Sequence, residues 1–235
     1  MKTLGIIPAR GGSKRFPSKN VAVLNGKPLV FHTIDAVLGL FDKLIFTSDS
    51  DNILQIVENE YGDYSDENQS VFEISKRPDK LATDTSKVID TVVYYQEQNP
   101  EYEQIWLFLP TCPLRTKTDV INAKKLLTKD ADSVISITEF EFPPTLGIVR
   151  GAGGFITSFD YSDPWGKGNS RSQDHPTIYR PNGAMYGMWT KSFVKYKNFY
   201  KGKVKSYFMP RSRSADIDTK TDFEIAKALI NISEE

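Results

Sequence analysis

The pattern that most constrains this chain is an alternation of short apolar runs with longer segments of helical periodicity. The apolar runs stop in glycine or small polar residues, as central parallel strands do. They predict strands at residues 4–9, 43–47, 72–75, 105–109 and 133–138. Helices are predicted from Pro28 to about residue 40, from residue 51 to about residue 60, and over residues 88–98 and 119–127. Because strands that alternate with helices form right-handed crossovers, the pattern predicts an α/β fold with a mainly parallel sheet covered on both faces.

The regular alternation ends near residue 139. Residues 139–181 are rich in Pro, Gly, Ser and aromatic residues and contain only short strand-like pieces. Regular pattern returns in two further strands and a last helix, at residues 183–189, 205–209 and 222–232. The chain is therefore predicted to form a single domain over residues 1–235, in which residues 139–181 are an inserted lobe or arm.

Charge and composition exclude several classes of function. Thirty basic residues balance thirty acidic ones, so the chain has no net positive charge that would attract nucleic acid or an anionic membrane. An anionic substrate must then be held by local clusters of Lys and Arg. The single cysteine, Cys112, and two histidines cannot form a Cys/His zinc site. Because the chain can form no internal disulfide and shows neither a signal sequence nor a membrane-spanning segment, a cytoplasmic protein is predicted.

The first chemical motif, PARGGSKR at residues 8–15, directly follows the first predicted strand. The paired glycines, Gly11 and Gly12, let backbone N–H groups approach phosphate oxygens, because no Cβ stands in the way. Four cations within ten positions offset much of the charge of a triphosphate: Arg10, Lys14, Arg15 and Lys19. The motif is neither a Walker A loop nor a dinucleotide-binding glycine motif. A phosphate-binding loop is predicted; the structural alternative is a glycine turn beside a solvated basic stretch.

The longer segment IIPARGGSKRFPSKN, residues 6–20, resembles the opening signature of the CMP-sialic acid synthetases, the acylneuraminate cytidylyltransferase family. The resemblance implies a three-layer, Rossmann-like nucleotide-diphospho-sugar transferase fold with a small inserted dimerisation arm. In that family the loop holds the phosphates of CTP. The resemblance thus implies nucleotide contacts for Arg10, Gly11, Gly12, Ser13, Lys14 and Asn20. Arg10 and Lys19 are predicted to be catalytic, because they would stabilise the leaving pyrophosphate.

The second motif is RPDKLATDTS at residues 77–86. On its own it predicts a loop that ends in a helix cap. It also resembles the family segment R-P-x-x-L-A-x-D, in which the arginine and nearby small residues surround the cytidine. The resemblance implies nucleotide contacts for Arg77, Ala82 and Ser86.

The third motif is LPTCPLR at residues 109–115, after the fourth strand. On its own it predicts a stiff connection between a strand and a helix. It is similar to the family segment Q-P-T-S-P-L-R in the sugar-binding region, which implies sugar contacts for Leu109, Thr111 and Arg115. Leu109 replaces the glutamine of the family, and Cys112 replaces its serine. Because a leucine cannot hydrogen-bond an acyl amide or a hydroxyl, the change favours a different nonulosonic acid, such as legionaminic acid.

The fourth motif is YRPNGAMY at residues 179–186. Taken alone, its Asn-Gly step is more often only a turn before a strand. It resembles the family segment N-G-A/S-x-Y at the floor of the sugar site. The resemblance implies sugar contacts for Tyr179, Asn182, Gly183 and Ala184.

The fifth motif is DIDT at residues 216–219. Residues two apart on an extended segment point to the same side, so Asp216 and Asp218 can share one cation. Hard carboxylate oxygens suit Mg²⁺, which is normally bound together with substrate phosphates. The alternative is a cap and an acidic first turn for the last helix, and both can hold if Asp218 or Thr219 caps while Asp216 faces the metal. The family sequence D-I-D-T matches without change. Asp216 and Asp218 are therefore predicted to be catalytic metal ligands, with Asp216 also a candidate general base.

Together the motifs predict an enzyme that transfers CMP from CTP to the anomeric hydroxyl of a nonulosonic acid, either N-acetylneuraminate or a relative such as legionaminate. Mg²⁺ is the predicted cofactor, and CTP and an acidic nine-carbon sugar are the predicted substrates. A homodimer is predicted, because aromatic side chains are dense in the arm and the resembled family exchanges a comparable segment between subunits. The alternatives are a nucleotidyltransferase that uses UTP or GTP or another acid, such as pseudaminate or 3-deoxy-manno-octulosonate, and a non-catalytic nucleotide-binding relative.

Overall fold

The fold is described by a computed structural model that covers residues 1–65 and 70–232. Its strands, in chain order, are β1 (Thr3–Pro8), β2 (Val23–Leu24), β3 (Lys27–Pro28), β4 (Lys43–Ser48), β5 (Val71–Lys76), β6 (Gln104–Leu107), β7 (Ser133–Glu139), β8 (Ile148–Arg150), β9 (Ile156–Ser158), β10 (Tyr179–Trp189) and β11 (Val204–Phe208). Its α-helices are α1 (Leu29–Val37), α2 (Asp51–Tyr61), α3 (Val88–Gln98), α4 (Lys117–Leu126), α5 (Thr190–Tyr196) and α6 (Lys220–Ile232).

A seven-stranded sheet in the order β11-β7-β10-β6-β1-β4-β5 forms the centre of the molecule. Strand β1 lies between β4 and β6 and runs parallel to both. Among the described strands of this sheet, β10 alone runs in the opposite direction, since it pairs antiparallel with β6 and β7. Its first residue, Tyr179, lies opposite Glu139, the last residue of β7. The arm thus leaves and re-enters the sheet at one point, so the returning strand has to run in the opposite direction.

Helices cover both faces of the sheet, which confirms the predicted three layers. Alternate residues of β1 point to opposite faces, as the period of a strand requires. Ile7 packs in the cluster that contains Val30 of α1 and Val57 of α2. Ile6 packs instead with Val92 of α3. Each layer boundary therefore has its own apolar core, and the carboxyl ends of the strands are left free to carry polar loops.

The sequence predicted most elements within a few residues, and it failed where the chain is irregular. The α5 helix, the hairpin β2–β3 and strand β8 were not predicted, whereas β9 is one of the short strand-like pieces predicted within residues 139–181. Strand β10 begins at Tyr179, four residues before the predicted start, and its register shifts between Pro181 and Tyr186. Gly183 lies inside this bulge with φ 77°, a conformation that favours glycine. The Asn-Gly step is therefore a bulge within a strand and not a turn before one.

The arm carries much of the exposed apolar surface. Large side chains that exceed half exposure there include Phe142, Ile148, Phe155, Ile156, Phe159 and Tyr161. Their density on a short hairpin and its flanking loops indicates a contact surface. Among the described residues, no helix has both the length and the apolarity to cross a membrane.

Candidate active site

A cavity of about 330 Å³ opens where β1, β5 and β6 end at their carboxyl side. This is the edge at which parallel α/β sheets bind ligands. The structure brings together at this cavity eleven of the residues predicted from the sequence: Arg10, Ser13, Lys19, Asn20, Arg77, Ala82, Ser86, Leu109, Thr111, Asp216 and Asp218. Residues from all of the first three motifs and from the fifth therefore meet at one site, although they are far apart in the sequence.

The phosphate loop is shaped by contacts within the protein. The backbone N–H of Gly11 donates to Asp49 Oδ1 at 3.0 Å. A Cβ at Gly11 would lie 2.7 Å from the Cβ of Ser50, so glycine is required there for close packing. Asn20 donates from Nδ2 to the carbonyl of Arg10 at 2.8 Å. Gly12, in contrast, has open space around its Cα, where a ligand can approach the backbone.

Gly11, Gly12 and Lys14 are not among the residues that line the cavity, and their nucleotide contacts stay predictions. Carboxylates engage two of them, the N–H of Gly11 and the ammonium of Lys14. Lys14 pairs with Asp84 at 2.7 Å, with both side chains largely exposed. This pair links the phosphate loop to the loop of the second motif. Hydrogen bonding to Lys14 holds the pKa of Asp84 below its ordinary value.

Lys19 connects the phosphate loop to the acidic motif. Its side chain is buried, and Nζ donates to the carbonyl of Ile217 at 2.6 Å and to Asp218 Oδ1 at 3.3 Å. Arg15 approaches the other oxygen of Asp218 at 2.8 Å. Two cations from one loop thus hold the Asp218 carboxylate in place.

Asp216 differs from Asp218, because its carboxylate makes no ion pair with any residue in the described part of the chain. Its contact with a side chain is to the thiol of Cys112, at 3.6 Å. Cys112 also donates to the carbonyl of Asn182 at 2.9 Å, and burial raises the pKa of this thiol to about 12. The carboxylate of Asp216 is exposed and has no cation partner among the described residues, so it is available to a ligand.

Thr219 is the cap of the last helix, which leaves both aspartates of the motif free of that role. Asp222 accepts from the backbone N–H of Thr219 at 2.7 Å and of Asp218 at 3.1 Å, and its own N–H donates to Thr219 Oγ1 at 3.3 Å. This reciprocal arrangement is a capping box. Partial burial raises the pKa of Asp222, but the hydrogen bonds from Thr219 and Asp218 outweigh burial and hold it below its ordinary value.

Arg77 lies deep in the cavity and is only 5% exposed. Its Nη2 donates to the carbonyl of Thr47 at 2.9 Å, whereas Nε has no hydrogen-bond partner among the described residues. Burial lowers the pKa of this guanidinium, and the nearby Asp49 opposes that effect. Ser86 Oγ donates to the carbonyl of Lys80 at 3.1 Å and so fixes the loop beside it. A buried donor without a partner is costly, so Arg77 is suited to a ligand that supplies an acceptor.

Arg115 does not line the cavity, and its sugar contact stays a prediction. Its side chain is buried, with Nη1 donating to Thr33 Oγ1 at 2.8 Å and Nη2 donating to the carbonyl of Leu109. Burial lowers its pKa to about 10. Arg115 therefore holds the turn of the third motif from behind and leaves Leu109 and Thr111 to face the cavity.

The four predicted residues of the fourth motif, Tyr179, Asn182, Gly183 and Ala184, do not line this cavity, and their sugar contacts stay predictions. Asn182 is buried, with Nδ2 donating to Ser214 Oγ at 2.9 Å and Oδ1 accepting from the N–H of Ala184 at 3.1 Å. A Cβ at Gly183 would lie 2.9 Å from the sulfur of Cys112. Tyr179 packs edge-on against another ring of the sheet, at 6.0 Å, and is not among the residues that line the cavity. Asn182 Nδ2 thus holds Ser214, two residues before Asp216, while its Oδ1 holds the bulge of β10.

Comparison with known proteins decides the family. A cytidylyltransferase family profile matches residues 4–106. Pseudaminic acid cytidylyltransferase of Campylobacter jejuni is 32% identical over 242 residues, which cover 100% of this chain and 99% of that relative. This chain belongs to the CMP-sialic acid synthetase family of cytidylyltransferases. The predicted family and the enzyme class are thereby confirmed.

Other members of the cytidylyltransferase family are about equally similar. CMP-N,N'-diacetyllegionaminic acid synthase of Legionella pneumophila is 30% identical over 100% of this chain and 99% of that relative. N-acylneuraminate cytidylyltransferase of Streptococcus agalactiae is 32% identical over 95% of this chain, but the match covers only 52% of that longer relative. Among solved structures, a CMP-2-keto-3-deoxy-manno-octonic acid synthetase complexed with CTP superposes with a TM-score of 0.69 at 15% identity, over 99% of this chain and 100% of that chain. This likeness confirms the nucleotidyltransferase fold.

Two parts of this cytidylyltransferase site were missed at the level of sequence. Thr91 of α3 lines the cavity, is buried, and has a hydroxyl without a hydrogen-bond partner among the described residues. Arg180 and Arg211 lie beside Asp216 in a neighbouring cavity. The only sequence signal for them was position: Arg180 precedes the Asn-Gly step by two residues, and Arg211 precedes Asp216 by five.

Proposed function

We propose that this cytidylyltransferase transfers CMP from CTP to the anomeric hydroxyl of a nonulosonic acid and releases pyrophosphate. The observation that carries the proposal is that phosphate-loop cations and a pair of carboxylates line one cavity. Arg10 and Lys19 come from the loop, and Asp216 and Asp218 come from the opposite end of the chain. The names of the relatives support a nonulosonic acid, since they are enzymes for pseudaminic, acylneuraminic and diacetyllegionaminic acids.

In the proposed mechanism the protein mainly positions the reactants and neutralises their charge. Nucleotidyl transfer requires little covalent chemistry from the enzyme, so electrostatic stabilisation dominates. Arg10 lines the cavity, and the backbone at Gly12 beside it is open, so both would contact the phosphates of CTP and stabilise the charge that develops on pyrophosphate. Arg77 and the loop around Ser86 would enclose the cytidine. Lys19 keeps the acidic segment close to the phosphate loop.

We further propose Mg²⁺ as the cofactor, held by Asp216 and Asp218. The residues fit this ion, because the two side chains offer hard carboxylate oxygens at a phosphate cavity and Asp216 has no cation partner within the described chain. No cluster of three acidic, His or Cys ligands exists among the described residues. Mg²⁺ keeps waters and substrate phosphates as ligands, so two carboxylates are enough to hold it beside CTP. When bound, the ion supplies Lewis-acid charge to the phosphate oxygens.

The substrate proposal is tested by initial rates of pyrophosphate release with each of the four common nucleoside triphosphates and a panel of sugar acids. We expect release only with CTP, together with at least one of N-acetylneuraminate, legionaminate and pseudaminate. Release with 3-deoxy-manno-octulosonate alone would favour the octulosonate alternative. Binding of CTP without release from any acid would favour the non-catalytic alternative.

We also propose that the protein is a cytoplasmic homodimer. Exposed aromatic side chains on the arm, such as Phe155 and Tyr161, support assembly through this segment. The single buried cysteine, Cys112, suits a reducing compartment.

Sedimentation equilibrium is expected to give twice the chain mass of 26.6 kDa. Replacing Phe155 and Tyr161 by aspartate should give the monomer mass, whereas Val194→Asp, on an exposed position of α5, should leave the dimer intact. A monomeric wild-type protein would contradict the proposal.

A further inference from the structure

A separate cavity of about 320 Å³ lies between α1, the start of α4 and the 3-10 turn Arg211–Arg213. None of the residues that line this α1–α4 cavity also lines the nucleotide cavity. The proposed reaction gives it no role. Its charged lining residues are four cations and one carboxylate: Lys27, Arg115, Lys117, Arg213 and Asp35.

Arg115 is a buried cation without a matching anion. It is only 3% exposed and makes no ion pair with any described residue. Nη1 and Nη2 donate to uncharged oxygens, the hydroxyl of Thr33 and the carbonyl of Leu109, and the buried Nε has no partner among the described residues. Burial lowers the pKa of this guanidinium to about 10, so the group is still charged at neutral pH. Because buried charges are normally paired, the cavity beside Arg115 is suited to a ligand that brings negative charge.

The other cations leave an excess of positive charge around this cavity. Lys117, the first residue of α4, is exposed and makes no ion pair within the described part of the chain. Lys27 pairs with Asp35, but both side chains are partly exposed, and such pairs are weak. Arg213 is paired with the buried carboxylate of Asp119. Four cations against these two carboxylates leave two positive charges that an anion can offset.

A phosphate group fits this excess of charge. A phosphate ester carries a charge of about −1.5 to −2 at pH 7 and offers three strong acceptor oxygens, whereas a carboxylate carries one charge. His32 also lines the cavity but adds no charge at neutral pH, because burial lowers the pKa of its imidazole. The volume lies at the lower end of the range for ligand pockets, so a small ligand is expected.

We propose that the α1–α4 cavity is a second anion site, which binds a small ligand through a phosphate group. The inference goes beyond the proposed reaction and does not depend on it. Two of the cations support backbone that leads to the nucleotide cavity. Arg115 donates to the carbonyl of Leu109, which lines that cavity, and Arg213 precedes Asp216 by three residues. A bound anion would therefore stabilise the arginines behind two segments of the nucleotide site.

Isothermal titration of the full chain with pyrophosphate tests the site. The wild type is expected to bind at two classes of site. Lys117→Gln should weaken one class about tenfold, the effect of losing one charge-assisted hydrogen bond, and Arg10→Gln should weaken only the other. Lys125→Gln is the matched control, since this exposed lysine of α4 lines neither cavity, and it should leave both classes unchanged.

Titrations with inorganic phosphate and with glycerol 3-phosphate distinguish the sources of the phosphate group. Tightest binding of pyrophosphate at the class that depends on Lys117 would assign the site to the product of the proposed reaction. Tightest binding of either other probe would assign it to free phosphate or to a phosphate monoester. Each of these results supports a phosphate site in the α1–α4 cavity.

Asp35→Asn gives a readout that damage to the fold would not produce. It removes the carboxylate that competes for Lys27, so affinity at the class that depends on Lys117 should rise about twofold to fivefold. A single class of site in the wild type, weakened by Arg10→Gln and unchanged in Lys117→Gln and Asp35→Asn, would overturn the inference. Failure of the protein to form a CMP-sugar would contradict the proposed function alone, because the titration measures anion binding without turnover.

Discussion

Replacing Asp216 by asparagine is expected to lower the rate of pyrophosphate release about a hundredfold to a thousandfold, the range found when one preorganised electrostatic group is removed from an active site. The fold should survive, because the carboxylate makes no ion pair within the described chain and accepts a long hydrogen bond of 3.6 Å from the thiol of Cys112. Asp218→Asn should lower the rate to a similar degree. It should also destabilise the loop, since Asp218 is held by Lys19 and Arg15.

The control for these variants is Asp51→Asn, which removes an exposed carboxylate of α2 that pairs with Lys76 and does not line the cavity. Its rate should match that of the wild type. Turnover and the thermal midpoint are measured together, so that loss of chemistry is separated from loss of fold. Near-normal turnover in both Asp216→Asn and Asp218→Asn would contradict the proposed metal ligands.

Replacing Lys19 by methionine is expected to reduce both activity and stability. The carbonyl of Ile217 would lose a buried donor at 2.6 Å, which should lower the free energy of unfolding by about 1–3 kcal/mol. Because Lys19 joins the phosphate loop to the acidic motif, kcat/KM for CTP should fall about a hundredfold or more. Denaturant unfolding and initial rates at varied CTP measure the two effects.

Lys76→Met is the matched control for this variant. Lys76 forms an exposed pair on the surface, so its loss should change the free energy of unfolding by less than about 1 kcal/mol and leave the rate unchanged. If Lys19→Met were destabilised but retained the wild-type kcat/KM, Lys19 would be a structural residue only. If the Lys19→Met variant were neither destabilised nor slowed, the contacts of Lys19 with the acidic motif would contribute to neither stability nor activity.

Two features could be predicted from the sequence for a physical reason. One is the sheet between two layers of helices, and the other is the position of the motifs at one edge of that sheet. Apolar runs such as that of β1 can be buried on both faces only in the middle of a parallel sheet. The loops after β1, β5 and β6 must then open on one edge, which is where Arg10, Arg77 and Leu109 meet. The direction of β10 did not follow from the sequence pattern. It depends on where the arm returns, and that is set by the pairing of Tyr179 with Glu139.

Resemblance to a motif predicts that a residue lies near the site, but not which way its side chain points. Arg115 and Asn182 illustrate this limit. Both are near the cavity, but both donate their hydrogen bonds to other groups of the protein. Arg180 and Arg211 illustrate the converse. They lie in no predicted contact set, because the neighbouring cavity that they line forms only where the first residues of β10 meet the turn before Asp216.

The central proposal is that one cavity joins CMP to a sugar acid. It is tested most directly by ³¹P NMR of the purified protein with CTP and a nonulosonic acid. One phosphodiester resonance of a CMP-sugar should appear for each pyrophosphate released, and both should be lost in Asp218→Asn. Pyrophosphate with free CMP and no phosphodiester would show hydrolysis instead of transfer. A spectrum in which CTP stays intact with every nonulosonic acid would contradict the proposed function.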